Sequence, residues 1–290
     1  MGHYLSEPRT DKQIDKGASD GTDLALRYCA ASMQGWRRTM EDTCYVNASL
    51  PQGEAVFCVF DGHGGREIAA FCRMEFERTF TALEAYQARN YEQALRDCFV
   101  RLDELLTTIE GQNQVVEISN QIQQEMRESD QAQFSGGDAS DETLRKIPQN
   151  VGTTACVILV TKTDIFCANA GDSRAVLAQG VQSFDLSDDH KPENEDELIR
   201  IEGAGGTVED GRINGKLSLS RAIGDMAYKQ NPSLSVDRQA ITCVPDVTRR
   251  ARSPEDSYIL IACDGIWECG SSHEIVELVN ELVEQRTNEQ

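Results

Sequence analysis

The 290-residue sequence predicts a mixed α and β protein built around one large core, and three observations carry that prediction. Composition is the first: 39% hydrophobic residues and 22 glycines, in a chain of this length, suffice for a single extended core of sandwich type. The second is a set of short apolar runs, rich in β-branched and aromatic residues, that stop abruptly at Asp-Gly, as at Phe60-Asp61-Gly62 and Cys263-Asp264-Gly265. The third is the presence of segments whose apolar residues return every three or four positions, the rhythm of helices that cover a core.

Charge and composition also exclude. A formal net charge of -21 repels nucleic-acid phosphate, and no basic run offsets it, so no nucleic-acid partner is expected. The same charge suits divalent cations. No apolar stretch is long enough to span a bilayer and no signal peptide opens the chain, which makes a cytoplasmic location the expectation. Most of the ten cysteines sit singly in strand-like runs, as Cys29, Cys44, Cys58, Cys156, Cys167, Cys243 and Cys263 do; none forms a C-x-x-C pair, and they read as small, buried, reduced side chains.

Met1-Gly2-His3-Tyr4-Leu5-Ser6 matches the N-myristoylation pattern, with Gly2 as acceptor. One acyl chain supports only weak membrane association, and Glu7, Asp11 and Asp15 cancel Arg9, Lys12 and Lys16 nearby. Residues 7–25 are polar and read as irregular, so 1–25 forms an N-terminal segment. Residues 26–32 predict a first strand and 43–48 a second. Between them Arg37 and the acids Glu41 and Asp42 share one turn. That turn reads either as a surface salt-bridge cluster or as a hard oxygen ligand beside a guanidinium for an anionic substrate. Residues 56–60 form the strongest buried-strand run, and Asp61-Gly62-His63-Gly64-Gly65 ends it. The strand delivers a carboxylate and an imidazole to its own end, where a metal ion would compensate the desolvated acid; taken alone, the motif is equally a polar turn.

Helices are predicted over 66–80 and 91–109, followed by a polar insertion at about 111–150 that extends the helix and then loosens. Strands follow at 153–161, 165–170 and 175–178, with a tight turn at Thr163-Asp164 and an Asp beside glycine at Asp172. Residues 185–225 read as a small surface subdomain with a helix near 193–202. A strand is expected at 240–244 and another at 257–262, ending in Asp264 as the earlier one ends in Asp61. The last helix, 272–283, takes Ser272 as N-cap and turns Ile275, Val276, Leu278, Val279, Leu282 and Val283 inward.

In order, the motifs G-W-R-x-x-M-E-D, V-F-D-G-H-G-G, G-T-T-A, N-A-G-D-S-R, D-H-K-P, G-G-x-V, L-S-R-A-I-G-D and C-D-G-I-W-E resemble those of the protein phosphatase 2C (PP2C) family of metal-dependent serine/threonine phosphatases. The resemblance covers residues 26–285. It implies an α+β fold, a four-layer α-β-β-α sandwich of two antiparallel sheets flanked by helices, acting as a monomer. It also implies two Mg²⁺ or Mn²⁺ ions, bridged by Asp61, with the Gly62 carbonyl and Glu41 on one and Asp264 on the other. Asp42 would order water at the metals, Arg37 would grip phosphate, and His63 would protonate the leaving oxygen of a phosphoserine or phosphothreonine protein. A third ion would lie near Asp172 and Glu268, where the family usually has Asp at the second position.

The family also finishes with an Asp-Asn pair and a last strand, and that Asp ligates the ion held by Asp264. No Asp follows Asp264 in this sequence. The resemblance therefore implies a fragment lacking that strand, with 286–290 as its tail, or a weak phosphatase-like domain that binds phosphorylated partners. The intact upstream positions favour the fragment and an active phosphatase.

Overall fold

The computed structural model describes residues 4–19, 23–131 and 149–288. Gly2 and the Ser135-Gly136-Gly137-Asp138 run of the polar insertion lie outside the described residues. An antiparallel hairpin opens the chain, β1 (Arg9–Ala18) and β2 (Arg27–Gly35). β3 (Thr43–Asn47), β4 (Ala55–Phe60) and the two-residue β5 (Gly62–His63) follow. Then come the helices α1 (Glu67–Ala82), α2 (Glu84–Gln87), α3 (Tyr91–Leu105) and α4 (Ile109–Gln131). The strand-rich half contains β6 (Gly152–Thr153), β7 (Ala155–Val160), β8 (Asp164–Ala170), β9 (Arg174–Gln179) and β10 (Gln182–Asp185). A smaller unit holds α5 (Glu195–Gly203), β11 (Val208–Glu209), β12 (Arg212–Ile213) and β13 (Ile223–Gly224). β14 (Asp246–Ala251), β15 (Tyr258–Ala262), α6 (Asp264–Trp267) and α7 (Ser272–Asn288) complete the described chain.

Two sheets stack between helices because their central strands are apolar on both faces. β7 alternates with period two: Val157 and Leu159 join α1, α3 and α4 in one core, while Cys156, Ile158 and Val160 meet the second sheet. β9 divides likewise, with Ala175 and Leu177 between the sheets and Val176 and Ala178 against Trp267, Ile275 and Val276 of α6 and α7. The layers are thus helix, sheet, sheet, helix. The first sheet is antiparallel in the order β14-β8-β7-β4-β3, and the second in the order β10-β9-β15. β4 and β8 both run antiparallel to β7, so their C-terminal ends lie on the same side.

Several sequence expectations are corrected. Residues 9–18 are a strand, not irregular chain: nearly every β1 side chain is exposed, so pairing with β2 leaves no apolar alternation to read. The expected strand at 240–244 is reduced to one parallel bridge, Thr242 to Arg221, and the strand is β14 beyond Pro245. β14 escapes apolar reading because, as an edge strand, it carries Arg249 and Arg250. α7 is capped by Ser271, whose Oγ accepts from the Glu274 N–H while Glu274 accepts from the Ser271 N–H at 2.8 Å, a reciprocal capping box. Ser272 instead donates to Asp185 at 2.6 Å. Ile275 and Val276 face inward as expected, but Leu278, Leu282 and Val283 are about half-exposed on the far side of α7.

Ile201, Ile213, Ala222 and Ile241 form a small core of their own, which reaches past the expected 185–225 stretch to Ile241. Beneath it Glu197, buried on α5, accepts from Arg200 at 2.7 Å, Arg221 at 2.8 Å and Ser220 at 2.5 Å. Burial alone would push this carboxyl up, yet Arg221 and Arg200 outweigh it and hold it at about 2. An unfolded glutamate titrates near 4.3, so the ion pairs stabilise fully above that pH and lose their contribution as pH falls toward 2. Glu197→Gln is expected to destabilise the protein by about 3 kcal/mol at pH 7, because Arg200 loses its carboxylate partner and Arg221 is left with Asp246 alone. Thermal melts should show the gap to wild type narrowing as the pH is lowered below about 4.5; a gap independent of pH would contradict the assignment.

Candidate active site and metal centre

The β4 run ends at Asp61, whose backbone is locked to the neighbouring strand rather than left free. Asp61 N–H donates to Thr154 Oγ1 at 3.2 Å, and Thr154 N–H donates to the Asp61 carbonyl at 2.9 Å. The same hydroxyl meets Ser173 Oγ at 2.9 Å, joining the ends of β4 and β8. Gly62 has to be glycine: a Cβ there would lie 2.6 Å from the Glu41 carbonyl and 3.1 Å from that of Gly65. That close approach draws the Glu41-Asp42 segment onto the strand end. Gly171, at φ +124°, has to lie as close to Thr154, so the turn carrying Asp172 docks on the same residue.

Two groupings of potential ligand atoms result, each with its atoms within 4.8 Å of one another: Asp42, Asp61 and Cys263, and Asp61, Asp172 and Asp264. Asp61 belongs to both. Asp172 is buried and the others are half-buried. Burial, and after it the charges of Asp42 and Asp264, raise the Asp61 carboxyl well above the usual carboxylate range. Asp172 is raised by burial against the opposing pull of Lys191, whose ammonium donates to its Oδ2. The Cys263 thiol donates to Asp42 Oδ2 at 3.3 Å and is held protonated by burial and by Asp42 and Asp61. Convergent, partly buried carboxylates, with the charged forms of Asp61 and Asp172 disfavoured by burial and neighbouring charge, fit a hard divalent cation, which would reverse that penalty.

His63 follows on β5, where Nε2 lies 2.6 Å from Asp225 Oδ2. Other residues singled out in the sequence stand apart from the carboxylates. The Glu41 carboxylate accepts the Thr39 hydroxyl at 3.0 Å and joins neither grouping. Arg37 is exposed, and its carbonyl accepts from the Gln34 amide at 2.7 Å. Glu268 is exposed at the end of α6, its N–H donating to the Asp264 carbonyl at 2.8 Å. Three residues without an assigned role in the sequence reading are brought in by the fold: Cys263, Lys191 and Asp225. The only signal for them was membership of the motifs C-D-G-I-W-E, D-H-K-P and L-S-R-A-I-G-D.

Around the centre lies a ring of ion pairs. Arg174 grips Asp189 through Nε and Nη2 at 2.9 and 2.8 Å, donates to Ser272 at 3.0 Å and stacks over Trp267. His190 accepts the Gly171 N–H on Nδ1 at 3.2 Å, which makes Nε2 the protonated nitrogen facing Asp246 at 3.0 Å. Asp246 also receives Arg221 at 2.8 Å. The D-H-K-P segment is thereby tied to the site at Gly171 and Asp172 and to the subdomain through Arg221.

The chain was compared with known proteins. The family profile described as Protein phosphatase 2C matches residues 26–290. Protein phosphatase 2C 1 of Paramecium tetraurelia is 39% identical over 285 residues, covering 98% of this chain and 86% of that protein. Probable protein phosphatase 2C 21 of Arabidopsis thaliana is 37% identical over 308 residues, covering 99% and 83%. Among solved structures, a phosphatase from a pathogenic strain of Toxoplasma gondii superposes with a TM-score of 0.62 at 22% identity, covering 99% of this chain and 86% of that one, a likeness of fold. With the family profile spanning all but the first 25 residues and relatives this similar over nearly the whole chain, the protein belongs to the protein phosphatase 2C family.

Proposed function

We propose that the protein hydrolyses phosphoserine and phosphothreonine in protein substrates, with Asp61 as the shared ligand of two divalent cations, Mg²⁺ or Mn²⁺. The observation that carries the reading is that one carboxylate, Asp61, belongs to both ligand groupings at the strand ends. A pair of such ions would supply Lewis-acid activation of water and of the phosphoryl oxygens. Asp264 and the Gly62 carbonyl would complete the hold on them, with Glu41 turned in from Thr39 and Asp42 orienting water. A third ion would take Asp172 in place of Lys191, with Glu268 nearby.

The remaining work falls to the side chains. Arg37, which is exposed, would turn to bind the dianionic phosphate through a guanidinium fork and hold the phosphorus in line for attack. A serine or threonine oxygen leaves poorly as an alkoxide, and His63 would supply the proton it needs. Neither step uses a nucleophilic side chain, so no covalent phosphoenzyme forms.

Phosphate release from a phosphothreonine peptide should require Mn²⁺ or Mg²⁺, stop in EDTA and fall to background in Asp61→Ala; metal-independent turnover would refute the reading. His63→Gln should slow that peptide by about 10²–10⁴-fold while affecting p-nitrophenyl phosphate far less, since its leaving group needs little protonation. Equal slowing of both would remove His63 from the acid role. Stability supplies a third check, because burial and neighbouring charge disfavour ionised Asp61. In EDTA, Asp61→Asn should melt above wild type, each kcal/mol of relief appearing as about 2–4 °C. Added Mn²⁺ should reverse the order, and a lower melting point for the variant in EDTA would show that the carboxylates are not in conflict.

A further inference from the structure

β5, β6 and β13 form a separate three-stranded sheet of only two residues per strand, in the order β13-β6-β5. Of its six residues only Ile223 adds an apolar side chain to the core. What this sheet does is bring position 225 to position 63 across 162 residues of sequence. Asp225 is 1% exposed and sits in the left-handed region at φ 51°, ψ 43°, a conformation that costs a non-glycine residue unless its surroundings hold it. They do hold it: Asp225 N–H donates to the Val151 carbonyl at 2.9 Å, and the preceding Gly224 N–H donates to buried Asp103 at 2.8 Å. Asp103 is in turn paired at 2.6 Å with Lys229, itself only 6% exposed.

Room for the pair is made by removing side chains. A Cβ on Gly152 would collide with the Asp225 carboxylate and come within 2.8 Å of His63 Nε2. One on Gly224 would lie 2.6 Å from the Val151 carbonyl. The imidazole is thus pinned through Nε2, while Nδ1 is buried and has no hydrogen-bond partner among the described residues. An unpaired buried ring nitrogen is costly, and such a group at a reaction centre is a place for a ligand atom.

We infer that Asp225 is the positioning residue for His63, holding Nε2 and reserving Nδ1 for the oxygen of the leaving serine or threonine. The inference rests on the phosphatase reading for its chemistry and on the geometry for the pairing. In the transfer the water oxygen forms its bond to phosphorus and gives up one proton to solvent, the bond from phosphorus to the leaving oxygen breaks with its electron pair on that oxygen, and the Nδ1–H bond breaks as the new O–H bond forms. Nε2–H stays on Asp225 throughout, and a solvent proton restores Nδ1–H. Asp225 touches neither phosphate nor leaving oxygen; it decides which ring nitrogen meets them.

The test uses the full chain with ¹⁵N-labelled histidine, of which there are four, and Asp225→Asn, since Asn tolerates the left-handed conformation. Imidazole ¹H–¹⁵N spectra, assigned with His63→Gln, should show a protonated Nε2 on His63 that exchanges slowly in wild type and is lost in Asp225→Asn. With Mn²⁺, Asp225→Asn should lower turnover of a phosphothreonine peptide about 10–100-fold, leave p-nitrophenyl phosphate nearly unchanged, and add nothing in a His63→Gln background. Retention of the wild-type spectrum in Asp225→Asn, equal slowing of both substrates, or full additivity with His63→Gln would each overturn the role. Wild type that shows the Nε2–H signal yet releases no phosphate with any metal overturns the phosphatase reading and the leaving-group role with it, and leaves the pairing standing.

Discussion

Mutual repulsion among Asp42, Asp61, Asp172 and Asp264 is the constraint on which the rest of the architecture depends. Four carboxylates converge where two sheets end, and burial disfavours the charged forms of Asp61 and Asp172. Nothing in local propensity would assemble them; the interior does. β7 and β9 are buried on both faces, so the register of each sheet is set by side chains that cannot be turned outward. A one-residue slip would exchange the row packed on the helices with the row packed between the sheets, and so would undo two fitted cores at once.

The counter-charges lie one layer out. Lys191 reaches Asp172, Arg174 takes Asp189, and Arg221 links Glu197 to Asp246, which His190 also faces. Such pairs are weak evidence for net stability, since desolvation consumes much of their attraction. Their effect here is geometric. The pairs to Asp172, Arg174 and Asp246 tie residues 185–225 to strand ends, while Arg221–Glu197 braces that stretch internally, so it packs as part of the site and not as a loose appendage.

How much of this could be read from sequence follows burial. The runs at β4, β7 and β15 were legible because a strand inserted between two apolar layers must be apolar, and Asp61 and Asp264 because acid and glycine end such a run together. β1 and β14 were hidden for the converse reason: polar on their open faces, they carry no alternation, and only backbone pairing makes them strands. The exposed side of α7 misled because Leu278, Leu282 and Val283 keep the helical rhythm while facing away from the core. In the site, Gly62 was legible as a turn but not as a point of contact with Glu41. Cys263, Lys191 and Asp225 depend on pairings with Asp42, Asp172 and His63 that no local pattern encodes.

Glycine is therefore as much a site residue here as aspartate. Gly62 admits the Glu41 carbonyl, Gly171 admits Thr154, and Gly152 admits both His63 and Asp225. At each point a glycine backbone lies closer to a segment distant in sequence than a Cβ allows, to the Glu41 carbonyl at Gly62, to the Thr154 side chain at Gly171 and to the Asp225 and His63 side chains at Gly152. The carboxylates and the imidazole supply reactivity, but their spacing is set by missing side chains next to them. A chain with a formal charge of -21 can gather acids at one point because close contacts at glycine backbones fix where the acid-bearing turns lie, and the charges are carried there with them.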